Sequence, residues 1–125
     1  MFVQIGTANQ PFTDASDANA RWATYLALKA SLEATYSAMK VRSLMLTPAA
    51  SFAQDAGNLA GYAQLRTLIA AEGGLDVSDV VTTGTQITLA YSEDGAHLNQ
   101  SGVDAQYSYV LSRARAIAIA LGADA

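Results

Sequence analysis

Cysteine is absent from the 125-residue chain, which excludes disulfides, thiolate metal sites and cysteine nucleophiles together. Basic residues are scarce: seven Lys and Arg stand against eleven Asp and Glu, for a net charge of −4. Nucleic-acid binding needs clustered cations to neutralise phosphates. The pair Arg113 and Arg115 sits in a helical pattern with ordinary reasons to carry it, so that class is set aside. Charge of either sign is also low, at 14% of residues against 51% hydrophobic. Disordered chains show the opposite balance. A surface so short of charge leads us to expect part of the apolar excess to face a partner. No apolar run approaches the ~20 residues of a membrane helix. No basic stretch followed by an apolar one opens the chain, so no signal peptide is read. The expectation is a soluble single domain, residues 1–125, with one core and no assigned localisation.

What is present reads as alternating strands and helices. Met1 to Ile5 reads as a short buried strand broken by Gly6, followed by a loop to Asp17 in which Asp14, Ser16 or Asp17 caps the next helix. Trp22, Tyr25, Leu26, Leu32, Tyr36 and Met39 then recur at three- and four-residue steps, one face of a long helix. Val41 to Leu46 reads as a second strand, ended by Thr47-Pro48. A second helix near Asn58 turns Leu59, Tyr62, Leu65 and Ile69 inward and stops at Gly73-Gly74, because glycine takes a left-handed conformation cheaply. Val77 to Thr82 reads as a third strand, and the loop from Thr83 to Gln100 holds an extended piece at Gln86 to Ala90. A last helix runs from about Ser101 to Leu121, with Val103, Tyr107, Val110, Leu111, Ala114, Ile117 and Leu121 on its apolar side. This order predicts an α/β fold with a parallel sheet of about three strands and covering helices. Trp22, Tyr25 and Tyr36 are expected in the core, and Tyr107 and Tyr109, two apart on one helix, cannot both face inward.

The most specific local feature is Asp94-Gly95-Ala96-His97-Leu98-Asn99, with Gly102 and a helix after it; it contains the single histidine. An Asp three residues before a His, on a turn ahead of a helix, is placed to fold back onto the imidazole. It then accepts a hydrogen bond from one ring nitrogen and leaves the other facing a substrate hydroxyl. The competing structural reading is that Asp94 caps a turn and His97 is an ordinary loop histidine. One histidine with scattered carboxylates gives no metal-ligand spacing, no glycine-rich phosphate loop follows a strand, and no cofactor is implied. Tyr91, beside the turn, is a candidate for lining a groove.

The stretch from Asp94 to Gly102 resembles the last block of the GDSL/SGNH hydrolases, Asp-Gly-x-His-Leu/Pro-Asn and a glycine before the closing helix. In that family this block supplies the acid and base of the catalytic triad. Val3-Gln4-Ile5-Gly6-Thr7 resembles the strand end leading into the family's Gly-x-Asn-Asp block, and the elements between follow in the same order. The resemblance covers nearly the whole chain. It implies a truncated flavodoxin-like, SGNH-type three-layer fold, with His97 as general base and Asp94 orienting it. It also implies Gly6 in substrate binding and Asn9 as an oxyanion donor, should the loop shift by one residue, since Ala8 occupies the position of the family's Asn.

The departures from the family are as specific as the match. Nothing in the chain resembles the family's Gly-Asp-Ser block, which carries the nucleophile, and the glycine that donates a second oxyanion N–H is missing with it. Loss of oxyanion donors alone costs ~10²–10³ in rate, and loss of the serine removes the covalent route. Ser92 and Ser101 lie too near His97 in sequence to replace it, and Ser51, in a loop at the strand ends, is a poor substitute. The first reading is therefore a catalytically incomplete module with a structural or binding role in an oligomer or larger assembly; virion and cell surfaces suit such modules. The second is the C-terminal part of an active esterase or O-acetylesterase, with carbohydrate esters among its substrates, whose serine comes from a missing segment or a partner chain. The third is a small α/β domain unrelated to the hydrolases. In the first two, Met1 to Ile5 is an open apolar edge, where a second copy or a complementing chain pairs.

Overall fold

Three short parallel strands form the centre of the computed structural model, which describes residues 1–5, 11–45, 53–83 and 86–122. Strand β1 (Phe2–Gln4) pairs with β2 (Arg42–Met45), and β2 pairs with β3 (Leu75–Asp76), giving the order β1-β2-β3. Helix α1 (Ala15–Thr35) joins the first two strands and α2 (Ala56–Glu72) the second pair. A small antiparallel hairpin, β4 (Thr82–Thr83) and β5 (Gln86–Ile87), follows, and α3 (Gln100–Ala120) closes the chain. The expected α/β class with a three-strand parallel sheet is what the chain forms.

Sequence signals set the helix ends. Of the three candidate caps for α1, Asp14 takes the position, its carboxylate accepting the N–H of Asp17 at 2.9 Å. Asp55 caps α2 in the same way through Asn58, and Gly73 ends it at φ 78°, where a side chain would be strained.

Strand alternation and register divide the sheet into two faces. Val3 pairs with Ser43, so Val3, Ile5, Val41, Ser43 and Met45 share one face, and Phe2, Arg42 and Leu44 the other. Against the first face α1 and α2 pack on each other and on the strands. This core holds Trp22, Tyr25, Val41, Met45, Tyr62, Leu65 and Ile69, with Phe12 set edge-on to Tyr62 at 5.1 Å. A polar group is built into it. The Glu72 carboxylate accepts hydrogen bonds from Tyr25, Lys29 and both the N–H and hydroxyl of Ser43. Burial alone would raise the pKa of Glu72, but these donors outweigh it and hold the group below its ordinary value. Helix α3 lies on the second face. Near its start Gln106 reaches the carbonyl of Val77, just past β3, and its last turns, Ala114 to Leu121, meet Phe2 and Arg42 at the strand starts. It thus runs antiparallel to the strands, and its N-terminus sits at their C-terminal edge.

Three expectations are corrected. The third strand is Leu75–Asp76 and not Val77 to Thr82: Asp76 Oδ1 accepts the N–H (3.0 Å) and hydroxyl (2.5 Å) of Ser78, which turns the chain into a 3-10 helix at Ser78–Val80. Val77 and Val81 are fully buried all the same, so the apolar signal reported burial rather than extension. Tyr36 is 56% exposed, because α1 stops at Thr35 and Tyr36 lies beyond its last turn. On α3, Val110, Ala114, Ile117 and Leu121 are partly buried as expected, but Val103, Tyr107 and Leu111 are exposed. The inward line instead starts from Gly102 and Gln106, both buried, so the helix is rotated away from the expected face. Tyr109 is half-buried and Tyr107 exposed, as their spacing requires. The expected end of the second strand, Leu46 with Thr47 and Pro48, lies outside the described residues.

No helix among the described residues is long and apolar enough to cross a membrane. Among them, too, no strand pairs with the outer edge of β1.

Candidate acid–base site

The segment between the hairpin and α3 is a compact turn held by three side chains. Ser92 and Leu98 form an isolated antiparallel bridge that closes its neck. Asn99 caps α3 by accepting the N–H of Gly102 at 3.0 Å, while its amide donates to the carbonyl of Ala90 at 3.1 Å. The N–H of Asn99 donates to the carbonyl of Tyr91 at 2.8 Å. Gly102 is required by close approach: a Cβ there would stand 2.7 Å from the Tyr91 carbonyl oxygen and 3.2 Å from Leu98 Cβ. Gly95, at φ 76°, supplies the left-handed residue that reverses the chain.

Within this turn the two oxygens of Asp94 have different tasks. Oδ1 accepts the backbone N–H groups of Ala96 and His97, each at 2.8 Å. Oδ2 lies 2.6 Å from Nδ1 of His97. Hydrogen bonds from His97, backbone and then ring, followed by that of Ala96, hold the Asp94 carboxyl well below the usual carboxylate range. An ionised carboxylate only accepts, so the proton between the two belongs on Nδ1, and Nε2 carries the free lone pair. The His97 side chain is 78% exposed and the Asp94 side chain 54%. Among the described residues, no hydroxyl hydrogen-bonds to Nε2.

The open depression around the pair is lined by Glu93, Asp94, His97, Leu98, Asn99 and Gln100. The structure therefore brings Asp94 and His97 together and adds Glu93 and Gln100, which sequence reasoning passed over. Tyr91 is half-buried behind the turn, packed against Gly102, and is not among the lining residues. Gly6 and Asn9, and Ser51 with them, lie outside the described residues. Ser92 is fully buried, its hydroxyl donating to the His97 carbonyl at 2.6 Å and accepting the Gly95 N–H at 2.9 Å. Among the described residues, no three His, Asp or Glu side chains gather to hold a metal ion.

The site occupies the C-terminal edge of the parallel strands, where α3 begins. Parallel sheets collect their ligands there. The arrangement can hold an imidazole in one tautomer with its free nitrogen toward solvent, ready to take a proton from a hydroxyl brought to it. Compared with protein-family models, curated proteins and solved structures, the chain gives no match.

Proposed function

We propose that this chain carries the acid–base half of an SGNH-type ester hydrolase on a truncated flavodoxin-like fold, its nucleophilic serine coming from a segment or partner outside this sequence. The observation that carries the proposal is the 2.6 Å contact between Asp94 Oδ2 and His97 Nδ1. A carboxylate that merely capped the turn needs one oxygen, and Asp94 Oδ1 alone takes both turn N–H groups. The second oxygen is left for the imidazole. In the reaction, Nε2 of His97 accepts the serine proton as Oγ attacks the ester carbonyl. It then returns that proton to the departing alkoxide as the C–O bond breaks, and a water molecule repeats the cycle to release the acid. Asn9, by the resemblance, is the oxyanion donor, Gly6 is the proposed substrate neighbour, and carbohydrate O-acetyl or other simple esters are the substrate class.

The test is turnover of a short-acyl ester by the chain alone and by the chain supplied with a Gly-Asp-Ser strand segment. The chain alone is expected to be inactive, the completed protein active, and His97→Ala inactive in both forms. Hydrolysis by the completed protein that survives His97→Ala would sink the proposal.

A second reading, a non-catalytic module within an oligomer, draws on a different observation. Val103, Tyr107 and Leu111 form an exposed stripe at one-turn intervals on α3, and the outer edge of β1 is unpaired among the described residues. Light scattering separates the two. A defined, inactive oligomer that Tyr107→Lys or a proline in β1 dissociates supports the module.

A further inference from the structure

We infer that Ser92 is a positioning residue for the Asp94–His97 pair: its buried hydroxyl locks the turn so that the imidazole of His97 stays on Asp94. The inference rests on the reading of that pair as an acid–base unit, and adds to it a residue that touches neither substrate nor the reacting nitrogen.

The geometry of Ser92 differs from that of an ordinary turn serine. Its side chain points into the turn and is fully buried. Three groups surround the oxygen: the His97 carbonyl at 2.6 Å, the Gly95 N–H at 2.9 Å and Asp94 Oδ1 at 3.2 Å. A hydroxyl has one proton, and the shorter contact assigns it to the His97 carbonyl. The Gly95 N–H fills an oxygen lone pair. Ser92 thus ties the residue after Asp94 to the backbone of His97 itself, across the reversal made by Gly95. The Asp94 Oδ1 contacts to Ala96 and His97 close the same loop from the other side. Without the hydroxyl, the Gly95 N–H and the His97 carbonyl lose their partner inside the turn, a situation that drives the backbone to move toward water. The Asp94 Oδ1 bonds fix the carboxylate, and the Ser92 bond to the His97 carbonyl fixes the residue that carries the ring. The same burial excludes Ser92 as the missing nucleophile, because its oxygen is covered by the backbone it binds.

Because the chain has one histidine, ¹⁵N-histidine labelling yields a single ring spectrum and reads the pair directly. On the alkaline plateau of the ring ¹⁵N signals, the wild-type ring is expected as the Nδ1–H tautomer. Asp94→Asn serves as the control that releases it. Ser92→Ala is expected to lose that single state and shift toward the Nε2–H tautomer favoured by a free side chain, while amide spectra of the sheet and of α2 stay in place. Ser92→Cys, similar in size and a poor hydrogen-bonder, is expected to do the same. A folded Ser92 variant whose ring remains fixed as Nδ1–H overturns the inference. So does global unfolding of both variants, which would make Ser92 a residue of the fold at large. Ester turnover is recorded separately. If the protein completed with a Gly-Asp-Ser segment never hydrolyses esters, yet the chain releases His97 when Ser92 is changed, the hydrolase reading is refuted and the positioning role stands.

Discussion

Glu72, at the end of α2, and Ser43, in the middle strand, are joined twice: the Ser43 hydroxyl donates to the carboxylate at 2.6 Å and the Ser43 N–H at 3.0 Å. Lys29 and Tyr25 of α1 reach the other oxygen at 2.6 and 2.7 Å. One carboxylate therefore links both helices to the sheet. It sits with its side chain 9% exposed and its lysine partner 18%. An ion pair this sheltered is costly to break from one side, because the remaining charge stays desolvated.

Glu72→Gln is accordingly expected to lower stability by ~1–3 kcal/mol, measured as a reduced urea midpoint with unchanged slope. The pH dependence has a definite sign. The folded-state pKa of Glu72 is depressed below its ordinary value of 4.5, so the unfolded chain binds the proton first as pH falls. Its contribution is complete above about 4.5 and fades as pH drops through the lower folded value. Urea midpoints from pH 6 to 3 should fall more steeply for wild type than for the variant. Equal slopes would show that Glu72 is not depressed.

Asp94 and His97 give a second expectation, tied to catalysis. In the completed enzyme Asp94→Asn should cut kcat by ~10³–10⁴-fold, as losing the acceptor for Nδ1–H does in triads of this logic. The Asp94 carboxyl is held well below its ordinary value of 3.8 by the His97 and Ala96 hydrogen bonds. Its carboxyl carbon signal is therefore expected to stay flat from pH 8 down to about 4. The stabilisation of the turn should be lost only below that. A carboxyl signal titrating at or above 3.8 would contradict the hydrogen bonds that Asp94 accepts from Ala96 and His97.

Gly102 is the point where α3 meets the turn. Gly102→Ala places a methyl 2.7 Å from the Tyr91 carbonyl oxygen, a backbone atom with little freedom to yield. Overpacking of this kind costs ~1–3 kcal/mol. A lower Tm, together with shifted His97 and Asn99 amide resonances, is the expected result. An unchanged Tm would mean that the helix start has slack.

Asn58 ties together the segments that follow β1 and β2. Its side chain, 1% exposed, accepts the Phe12 N–H at 2.8 Å and donates to the Ala53 carbonyl at 2.6 Å. Asn58→Ala leaves both backbone groups without that partner, at a cost of ~2–4 kcal/mol. Faster hydrogen exchange at the Phe12 amide, ahead of any change in the sheet, is the observation that checks it.

Much of the fold was legible because its signals are local. Asp14 ahead of apolar periodicity, and Gly73 after it, mark helix ends by chemistry confined to four or five residues. The run from Asp94 to Gly102 marked the site for the same reason: an Asp three residues from a His, a reversing glycine and a capping Asn form a turn within nine residues. The third strand was misplaced because Val77 and Val81 are buried outside any strand. An Asp76–Ser78 hydrogen bond, invisible to hydrophobic pattern, breaks the extension.

The sequence by itself determined the class of fold and where the helices start, and it singled out Asp94 with His97, since each depends on neighbours within a turn or two. The tertiary structure alone decided the rotation of α3, the union of both helices and the sheet on Glu72, and the burial of Ser92. Those depend on close approach between segments distant in the chain, where a missing Cβ at Gly102 or one shared carboxylate outweighs the apolar periodicity of any single element.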